Sequence, residues 1–584
     1  MISLLKILFS KKYQFLLPEK ARFKFIVLFF LMIISTNIEI IGITAVLPLV
    51  GVLSTIEVDK IKETYNFLNL FNLEKKNYII FLLFIIVVAY IFKNFFIIVY
   101  NYILHKFCFE VRFHSAKNLF KEYLNTDFKN IKQKNPATII RNIEDISAAV
   151  RVIVLSSLNI CAETFLIIFI FAILLIASFD AVIFLFFSSL FIFLLYKFFL
   201  KNKIFRTGKN TLSISGYLKR VILITISAIK EIKIYGREKK LENLFNNYFI
   251  NLQKNNLKYV MYNLLPKLIL ELYGVFLFFL FFLFFLSKHE VSDVLPIISL
   301  YIIAFMRLLP SSTKILNSLQ SVEFHKPHFK ILIDEFKHYF FHNRGSKKNE
   351  TNPLLLDNQK FFIELKNVSS EYDGKKILND INLKIYKNKI ILIKGESGSG
   401  KTTLVDIISG LVKPSKGECN LVVNNKKISL FNNFNFLRQF LSLTPQKVIL
   451  FNETIKENIL FGNQNKKLSS PQYSQFKNLF KYSDLENFYK KNKKRKVGFM
   501  GSSISGGQIQ RIGISRTLFK NRNIMIFDEP TSSLNYEIST KIYKHLNTIK
   551  LGKIIIIISH DNNIDKYCDE VYMLKNAKLT KKLN

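Results

Sequence analysis

The sequence predicts a multidomain protein in which a six-helix α-helical transmembrane domain over residues 1–330 is followed by an α/β domain over residues 357–584. Half of the 584 residues are hydrophobic, and 59 of them are Phe. Six long apolar runs, each with at most two charged residues, occupy the first 316 residues. From residue 361 onward, short β-type runs alternate with helical stretches, which is typical of an α/β domain. The polar stretch over 331–356 reads as a linker.

The six apolar runs are predicted to span a membrane because most reach the ~20 residues that a helix needs to cross it. Their predicted bounds are about 23–55, 78–104, 150–178, 181–200, 262–287 and 294–316. The connecting segments 105–151 and 197–263 are long and basic, so the positive-inside rule places them and both termini in the cytoplasm. We therefore expect a multi-pass protein of the inner (plasma) membrane. Apolar spacing within 56–73 indicates either an amphipathic outer helix or an ordinary packed loop helix.

The net charge of +41 does not predict nucleic-acid binding, because no basic segment accompanies a recognition motif. Lys is frequent throughout the chain, together with Asn, Ile and Phe, and membrane proteins carry a cytoplasmic Lys/Arg excess. The four cysteines are far apart and show no metal-binding or CxxC spacing, so reduced thiols are expected.

A glycine-rich stretch, GESGSGKTT, follows the apolar run Ile390–Lys394. It matches the GxxxxGK[ST] phosphate loop, in which backbone N–H groups and a helix N-terminus surround a phosphate. Lys401 in this motif reaches the β- and γ-phosphates, and Thr402 ligates Mg²⁺. The α/β domain is therefore predicted to be a P-loop nucleotide-binding domain that uses Mg²⁺. The predicted nucleotide contacts in this stretch are Gly395, Ser397, Gly398, Ser399, Gly400, Lys401, Thr402 and Thr403.

The stretch IMIFDEP, Ile524–Pro530, is an apolar strand that ends in two acidic residues. Asp528 is predicted to hold Mg²⁺ through water, and Glu529 is predicted to polarise the attacking water as a general base. By itself, the pattern also fits a strand that ends at a helix-capping acid. The phosphate loop earlier in the chain favours the catalytic interpretation.

The stretch ISGGQIQR, Ile504–Arg511, predicts a second anion site. Ser505, Gly506 and Gly507 expose backbone amides at a helix N-terminus, next to Gln508. A single nucleotide does not require two phosphate-binding sites from the same chain. In two chains that face each other head to tail, the second anion site of each chain would contact the nucleotide held by the phosphate loop of the other chain.

The order of these motifs resembles the nucleotide-binding domain of an ATP-binding cassette (ABC) transporter, and six spans before one such domain resemble a half-size ABC exporter. This resemblance covers nearly the whole chain. It implies that Tyr372 stacks on adenine and that Gln446 meets both Mg²⁺ and the membrane domain. It also implies that His560 contacts the γ-phosphate and that Glu529 is the catalytic carboxylate. The implied protein is a homodimer that hydrolyses ATP to drive transport.

Two positions depart from the family pattern. Asn535 stands where the family usually has Asp, so hydrogen bonding is kept while the charge is lost. Phe499 stands where exporters commonly carry an acid that contacts the inner loops of the membrane domain. Segments near Asp127–Ile131 and Thr225–Ile232 resemble the coupling segments of exporters, although a solvated amphipathic helix is the alternative for both.

Three basic residues, Lys93, Lys267 and Arg307, interrupt apolar runs in the predicted inner half of the membrane. One interpretation is a basic lining for an anionic substrate in a water-filled cavity. The alternatives are snorkelling toward the inner headgroups and pairing with a carboxylate within the spans. The carboxylates concerned are Glu39, Glu163 and Glu271.

The stretches RLLPSSTKI, YIFKNFF and LPKLILE also resemble the bacterial lipid-linked oligosaccharide flippases among ABC exporters. This resemblance implies flipping of a lipid-linked (pyrophosphate) oligosaccharide or related glycolipid by alternating access. A multidrug or peptide exporter remains an alternative, as does an ATP-gated channel or regulator. A soluble ABC ATPase of DNA repair or translation is disfavoured by the six spans.

Overall fold

The computed structural model describes residues 17–44, 75–177, 194, 196–286, 291–342, 359–372, 374–462 and 468–582. The chain divides into a helical unit, 1–126 with 133–344, and an α/β unit, 127–132 with 345–584. The amphipathic helix predicted within 56–73 and most of the predicted fourth span lie outside the described residues.

Long helices dominate the N-terminal part of the chain because a helix satisfies all of its backbone hydrogen bonds within an apolar environment. The helices are α1 Ala21–Thr44, α2 Lys75–Asn125, α3 Phe128–Gln133, α4 Pro136–Arg141, α5 Ser147–Ala177, α6 Lys201–Ser227, α7 Ile229–Ile234, α8 Glu238–Leu286 and α9 Val291–His342. A π-helical stretch, Asn142–Ile146, joins α4 to α5, and another, Tyr196–Leu200, precedes α6.

Five of the predicted spans fall on α1, α2, α5, α8 and α9. Within the part of the chain that the structure describes, three helical segments are long and apolar enough to cross a membrane: Ala21–Ile38, Ile79–Asn125 and Pro136–Ala172. The last helix extends to His342, so residues 331–342 of the predicted linker are helical. No Pro or Gly occurs between Lys330 and Gly345, so nothing in that stretch breaks the helix before it reaches the polar residues that follow.

The helical unit is held together by close helix packing. Helix α9 packs along α5, and buried residues of both helices share a core with α1 and α2. Gly208 of α6 faces the backbone of α9, where a Cβ atom would lie 2.0 Å from the Phe324 carbonyl oxygen. Any larger residue at this position would force the two helices apart.

The α/β unit contains a six-stranded sheet of order β10-β9-β3-β8-β7-β6 and an antiparallel sheet of order β2-β1-β4-β5. In the larger sheet, β6, β7, β8, β3 and β9 run parallel, and β10 is antiparallel to β9. The strands are β1 Phe361–Tyr372, β2 Lys375–Tyr386, β3 Lys389–Lys394, β4 Lys416–Val423, β5 Lys426–Ser429, β6 Leu441–Thr444, β7 Ile524–Asp528, β8 Ile554–Ile558, β9 Glu570–Lys575 and β10 Lys578–Lys581.

Alternate side chains of the parallel strands fill two different cores. Ile391 and Ile393 of β3 enter one core, while Ile390 and Leu392 enter the other. Strands that are buried on both faces have continuous apolar sequences, as in the five isoleucines of β8.

The helices of this unit are α10 Lys401–Ile408, α11 Phe434–Leu437, α12 Ile455–Ile459, α13 Ser470–Tyr482, α14 Glu486–Lys491, α15 Gly506–Lys520 and α16 Tyr536–Ile549.

Candidate functional site

Four predicted motifs meet at one edge of the six-stranded sheet. The phosphate loop follows β3, His560 follows β8, Asp528 ends β7, and Gln446 follows β6. These four strands are parallel neighbours, so their carboxyl ends lie side by side. The carboxyl edge of a parallel sheet is where open α/β folds place their ligands.

The phosphate loop curls around the Lys401 side chain. The Lys401 ammonium donates hydrogen bonds to the carbonyl oxygens of Gly395 at 2.7 Å and Glu396 at 2.8 Å. Gly398 and Gly400 adopt positive φ values of 81° and 101°, a conformation that side-chain-bearing residues rarely adopt. Burial lowers the pKa of Lys401, while the nearby Glu529 and Asp528 oppose that effect.

Two features of this loop fit a nucleotide phosphate. The Ser399 hydroxyl is buried and has no hydrogen-bond partner among the described residues, which is costly unless a ligand supplies one. A Cβ atom at Gly398 would meet nothing within 4 Å, so the backbone on this side is accessible to a bound group. Helix α10 begins directly after the loop, so its positive dipole end is directed toward the same place.

The Glu529 carboxylate lies between two of the predicted site residues. The Gln446 side-chain amide donates to Glu529 Oε2 at 3.0 Å, and His560 Nε2 lies 3.0 Å from Glu529 Oε1. The Glu529 backbone has a positive φ of 48° and donates its N–H to the Ile558 carbonyl oxygen at 2.9 Å. The sequence predicted these three side chains separately, and the fold brings them into contact.

The neighbouring Asp528 is 5 % exposed at the end of β7. The pKa of Asp528 is raised to about 6, mainly by burial and also by the negative charges of Glu529 and Asp406, while Lys401 opposes the rise. A bound cation would favour the ionised form of this carboxyl.

Oxygen atoms of Thr402, Gln446 and Asp528 provide the hard ligands that Mg²⁺ prefers. Gln446 uses its amide N–H groups on Glu529, so its amide oxygen is the atom suited to a cation. Among the described residues, no group of three or more His, Cys, Asp and Glu could hold a metal ion. The oxygen donors of Thr402, Gln446 and Asp528 fit a Mg²⁺ ion, for which they are the candidate ligands.

The predicted second anion site lies at the N-terminus of α15. Ser505 caps this helix by accepting a hydrogen bond from the Gln508 N–H at 3.3 Å, and the Gln508 side chain accepts from the Ser505 N–H at 3.0 Å. A Cβ atom at Gly506 would meet nothing within 4 Å. The Gln508 side chain thus fixes the helix start, and its contact with ATP stays a prediction.

Gln510 is a site residue that sequence reasoning missed. Its side-chain amide donates to the Glu529 carbonyl oxygen at 2.7 Å and accepts from the Ser533 N–H at 3.0 Å. It is 5 % exposed, so it connects α15 to the loop after β7 from inside the domain. The sequence pattern that could have indicated its burial is its helical spacing from Gly513 and Thr517, which lie on the same face of α15 and are also buried.

The positions that depart from the family pattern have distinct surroundings. Asn535 caps α16, since its side-chain oxygen accepts from the Ile538 N–H at 3.1 Å, as an Asp oxygen also would. Phe499 is 77 % exposed on a short 3₁₀ turn, beside the exposed Met500.

Tyr372, the predicted adenine-stacking residue, ends β1 and is 45 % exposed.

The two predicted coupling segments both contain a short helix. Residues 127–132, which include most of α3, belong to the α/β unit, and Lys132 Nζ lies 3.8 Å from Asp406 Oδ2 on α10. In the second segment, α6 ends at Ser227 and α7 begins at Ile229, with a break at Ala228.

The three predicted substrate residues differ in their contacts. The Lys93 ammonium lies 4.4 Å from the centre of the Tyr90 ring. Lys267 lies 3.8 Å from Glu271 one turn further along α8, so the pairing alternative holds for this lysine. Arg307 is half-buried on α9.

Comparisons with known proteins agree with this architecture. Residues 378–532 match the ABC transporter family, whose domain binds ATP. A solved bacterial Atm1-family ABC exporter with ATP bound has the same fold, with a TM-score of 0.79 over 96 % of this chain and 95 % of that chain, at 17 % identity.

Two curated relatives are similar over part of the chain. An ATP-dependent lipid A-core flippase of Syntrophus aciditrophicus is 30 % identical over 218 residues, which is 37 % of this chain and 35 % of the flippase. A leukotoxin translocation ATP-binding protein of Mannheimia haemolytica is 32 % identical over 228 residues, 39 % of this chain and 32 % of that protein. The alignments therefore cover about a third of the length of these relatives.

Proposed function

We propose that this chain, which carries an ABC transporter domain and has the fold of a half-size ABC exporter, hydrolyses ATP to move an amphipathic anionic substrate across a membrane. The observation that carries the ATPase proposal is the position of Glu529, between Gln446 and His560 at the same sheet edge as the phosphate loop. This arrangement suits a general base that acts on a water molecule next to a terminal phosphate.

The residues of the chain divide the work of hydrolysis. Lys401 and the loop amides bind the phosphates, and Glu529 takes the proton of the attacking water. Gln446 and His560 hold the Glu529 carboxylate in place from both sides. Mg²⁺, held by Thr402, Gln446 and Asp528, would neutralise the phosphate charge.

The second anion site supports a homodimer. Ser505, Gly506 and Gly507 present backbone amides at the start of α15, while the phosphate loop precedes α10. In a pair of chains related by a twofold axis, each α15 terminus would complete the nucleotide site of the other chain. We place the homodimer in the inner membrane, with both termini and the α/β unit in the cytoplasm, because the basic connecting segments 105–151 and 197–263 favour that side.

For the substrate, we propose a lipid-linked (pyrophosphate) oligosaccharide or a related glycolipid. Arg307 supports an anionic headgroup, because a guanidinium within an apolar span is costly unless it faces water or an anion. A lipid A-core flippase is among the relatives. A peptide exporter is the second candidate, since a leukotoxin translocation protein is also among the relatives.

The test uses the full-length protein in liposomes with a panel of lipid-linked sugars, drugs and peptides. We expect ATPase stimulation by lipid pyrophosphates, and movement of the labelled lipid between leaflets that depends on ATP. Stimulation by peptides or drugs alone would replace the lipid proposal with one of the other exporters. ATP-dependent ion conductance without lipid movement would indicate a channel or regulator.

The role of Arg307 is tested by Arg307→Ala, with Lys330→Ala as the matched control. Lys330 is an exposed basic residue of the same helix, outside the predicted span. Loss of lipid stimulation in the Arg307 variant, with the control unchanged, is the expected result. Equal stimulation in both variants would contradict a substrate role for Arg307.

A further inference from the structure

A buried carboxylate interrupts one of the most apolar helices of the chain. Glu163 lies near the middle of α5 and is 5 % exposed. Within the part of the chain that the structure describes, its Oε2 atom is buried and accepts no hydrogen bond. An ionised carboxylate in such surroundings is costly unless a positive charge lies close to it.

That positive charge comes from Lys314, 151 residues further along the chain. Lys314 Nζ donates to Glu163 Oε1 at 2.6 Å. The Glu163 side chain is 7 % exposed, whereas the Lys314 side chain is 53 % exposed. The lysine therefore has one side on the carboxylate and another side open to the surroundings of the helix.

Lys314 and Arg307 lie on the same face of α9. They are seven residues apart on one continuous helix, which places them about 10.5 Å apart along its axis and nearly in line. Ser311 lies between them, and its buried hydroxyl donates to the Arg307 carbonyl oxygen at 3.1 Å. The face that carries Arg307 thus carries a second cation, whose charge is partly compensated by Glu163.

We propose that Glu163 is a specificity-determining residue, which sets how much negative charge a headgroup must carry to engage Lys314. This inference rests on the proposed function, because it assumes that an anionic headgroup reaches the Arg307 face of α9. The headgroup has to compete with the Glu163 carboxylate for one ammonium group. Its own charge decides that competition.

The competition favours the more highly charged headgroup. A phosphate monoester carries a charge of about −1.5 to −2 at pH 7, and a pyrophosphate ester carries more. A carboxylate that already lies against the ammonium in apolar surroundings resists displacement by the weaker anion more than by the stronger one. Glu163 would therefore keep single phosphates from engaging Lys314, and it would also weaken the attraction between this ammonium and pyrophosphates.

The test compares polyprenyl pyrophosphate with polyprenyl monophosphate of the same chain length, in liposomes that contain the full-length protein. The readout is the concentration of each lipid that gives half-maximal ATPase stimulation. In Glu163→Gln, we expect both lipids to stimulate at roughly five- to tenfold lower concentrations, because the Lys314 ammonium is no longer shared with a carboxylate. The gain should be at least as large for the pyrophosphate, whose headgroup carries the larger charge.

A matched control lies on the same helix. Glu323 pairs with Lys326 at 3.2 Å, with side-chain exposures of 13 % and 57 % that are close to those of the Glu163–Lys314 pair. It lies outside the predicted span. Glu323→Gln should leave the half-maximal concentrations of both lipids at the wild-type values, so a general loss of a half-exposed ion pair is not the cause of the effect.

A double variant keeps the test valid if Glu163→Gln folds poorly. Glu163→Gln with Lys314→Gln removes both charges and leaves no unpaired ammonium. It should weaken stimulation by both lipids without favouring either. Unchanged half-maximal concentrations of both lipids in Glu163→Gln, while the wild type responds to both lipids, would overturn this inference alone. No response of the wild type to any anionic lipid would overturn the proposed substrate and this inference together.

Discussion

The α/β unit and the helical unit hold their charged residues in different ways. In the α/β unit, Glu529 has partners on both sides within a site built from adjacent strand ends. In the helical unit, Lys93 lies over the ring of Tyr90, and Lys267 lies next to Glu271. The first arrangement converges on one reaction, whereas the second spreads positive charge along several helices.

This difference indicates how strongly the activity of each unit would respond to the substitution of one charged residue. A site in which side chains act together on one proton transfer fails when any central member is lost. A charge-lined surface that binds a flexible anion loses only a part of its attraction with each cation. The predictions below test this contrast from the largest expected effect to the smallest.

The largest effect is expected for Glu529→Gln. Gln has nearly the same shape and can still form hydrogen bonds with Gln446 and His560, but it cannot take up the proton of water. Steady-state ATP hydrolysis should fall by about 10²–10⁴-fold while ATP binding is retained. Single-turnover hydrolysis and bound-nucleotide measurements on the reconstituted protein check both parts.

The control for this variant is Glu537→Gln, which removes an exposed acid from the first turn of α16. It should hydrolyse ATP close to the wild-type rate. Near-normal turnover in Glu529→Gln would mean that another group is the base, and the contrast between the two units would lose its main support.

An intermediate effect is expected from pH acting on Asp528, whose pKa is raised to about 6, mainly by burial. Below that pH, a proton occupies the carboxyl that Mg²⁺ requires, so the two compete. The Mg²⁺ concentration for half-maximal ATPase activity should therefore be nearly constant above pH 7. It should rise by about tenfold per pH unit well below pH 6.

Magnesium titrations between pH 5 and pH 7.5 measure this dependence directly. Added Mg²⁺ should recover much of the activity lost at low pH, because mass action displaces the proton. The same Mg²⁺ requirement at pH 5.5 and pH 7.5 would exclude Asp528 as the titrating ligand.

The nucleotide site was largely predictable because its residues follow short sequence patterns. GESGSGKTT follows the apolar strand β3, IMIFDEP ends the apolar strand β7 in two acids, and ISHD begins at the end of the apolar strand β8. Parallel strands bring such ends together without further information. Gln510 was missed because its role depends on the loop that packs against α15, and the sequence spacing does not specify that contact.

The helical unit was predictable only in outline. Apolar length predicts the spans, but it does not predict which faces of two helices meet. The pairing of Glu163 with Lys314 depends on the packing of α5 along α9 and joins residues 151 positions apart. The pairing of Lys267 with Glu271 is local, since i and i+4 always lie on the same helix face.

The smallest effect is expected for Lys267→Gln. This lysine already has a carboxylate at 3.8 Å on its own helix, and both side chains are about half exposed, so the pair contributes little net field at a distance. Half-maximal stimulation by polyprenyl pyrophosphate should need only about two- to threefold more lipid, well below the loss in Arg307→Ala. Glu271→Gln should shift the same value in the opposite direction, because it frees the ammonium for an anion. If Lys267→Gln instead abolished stimulation, the cations of the helical unit would act as one assembled site, and the contrast with the α/β unit would be wrong.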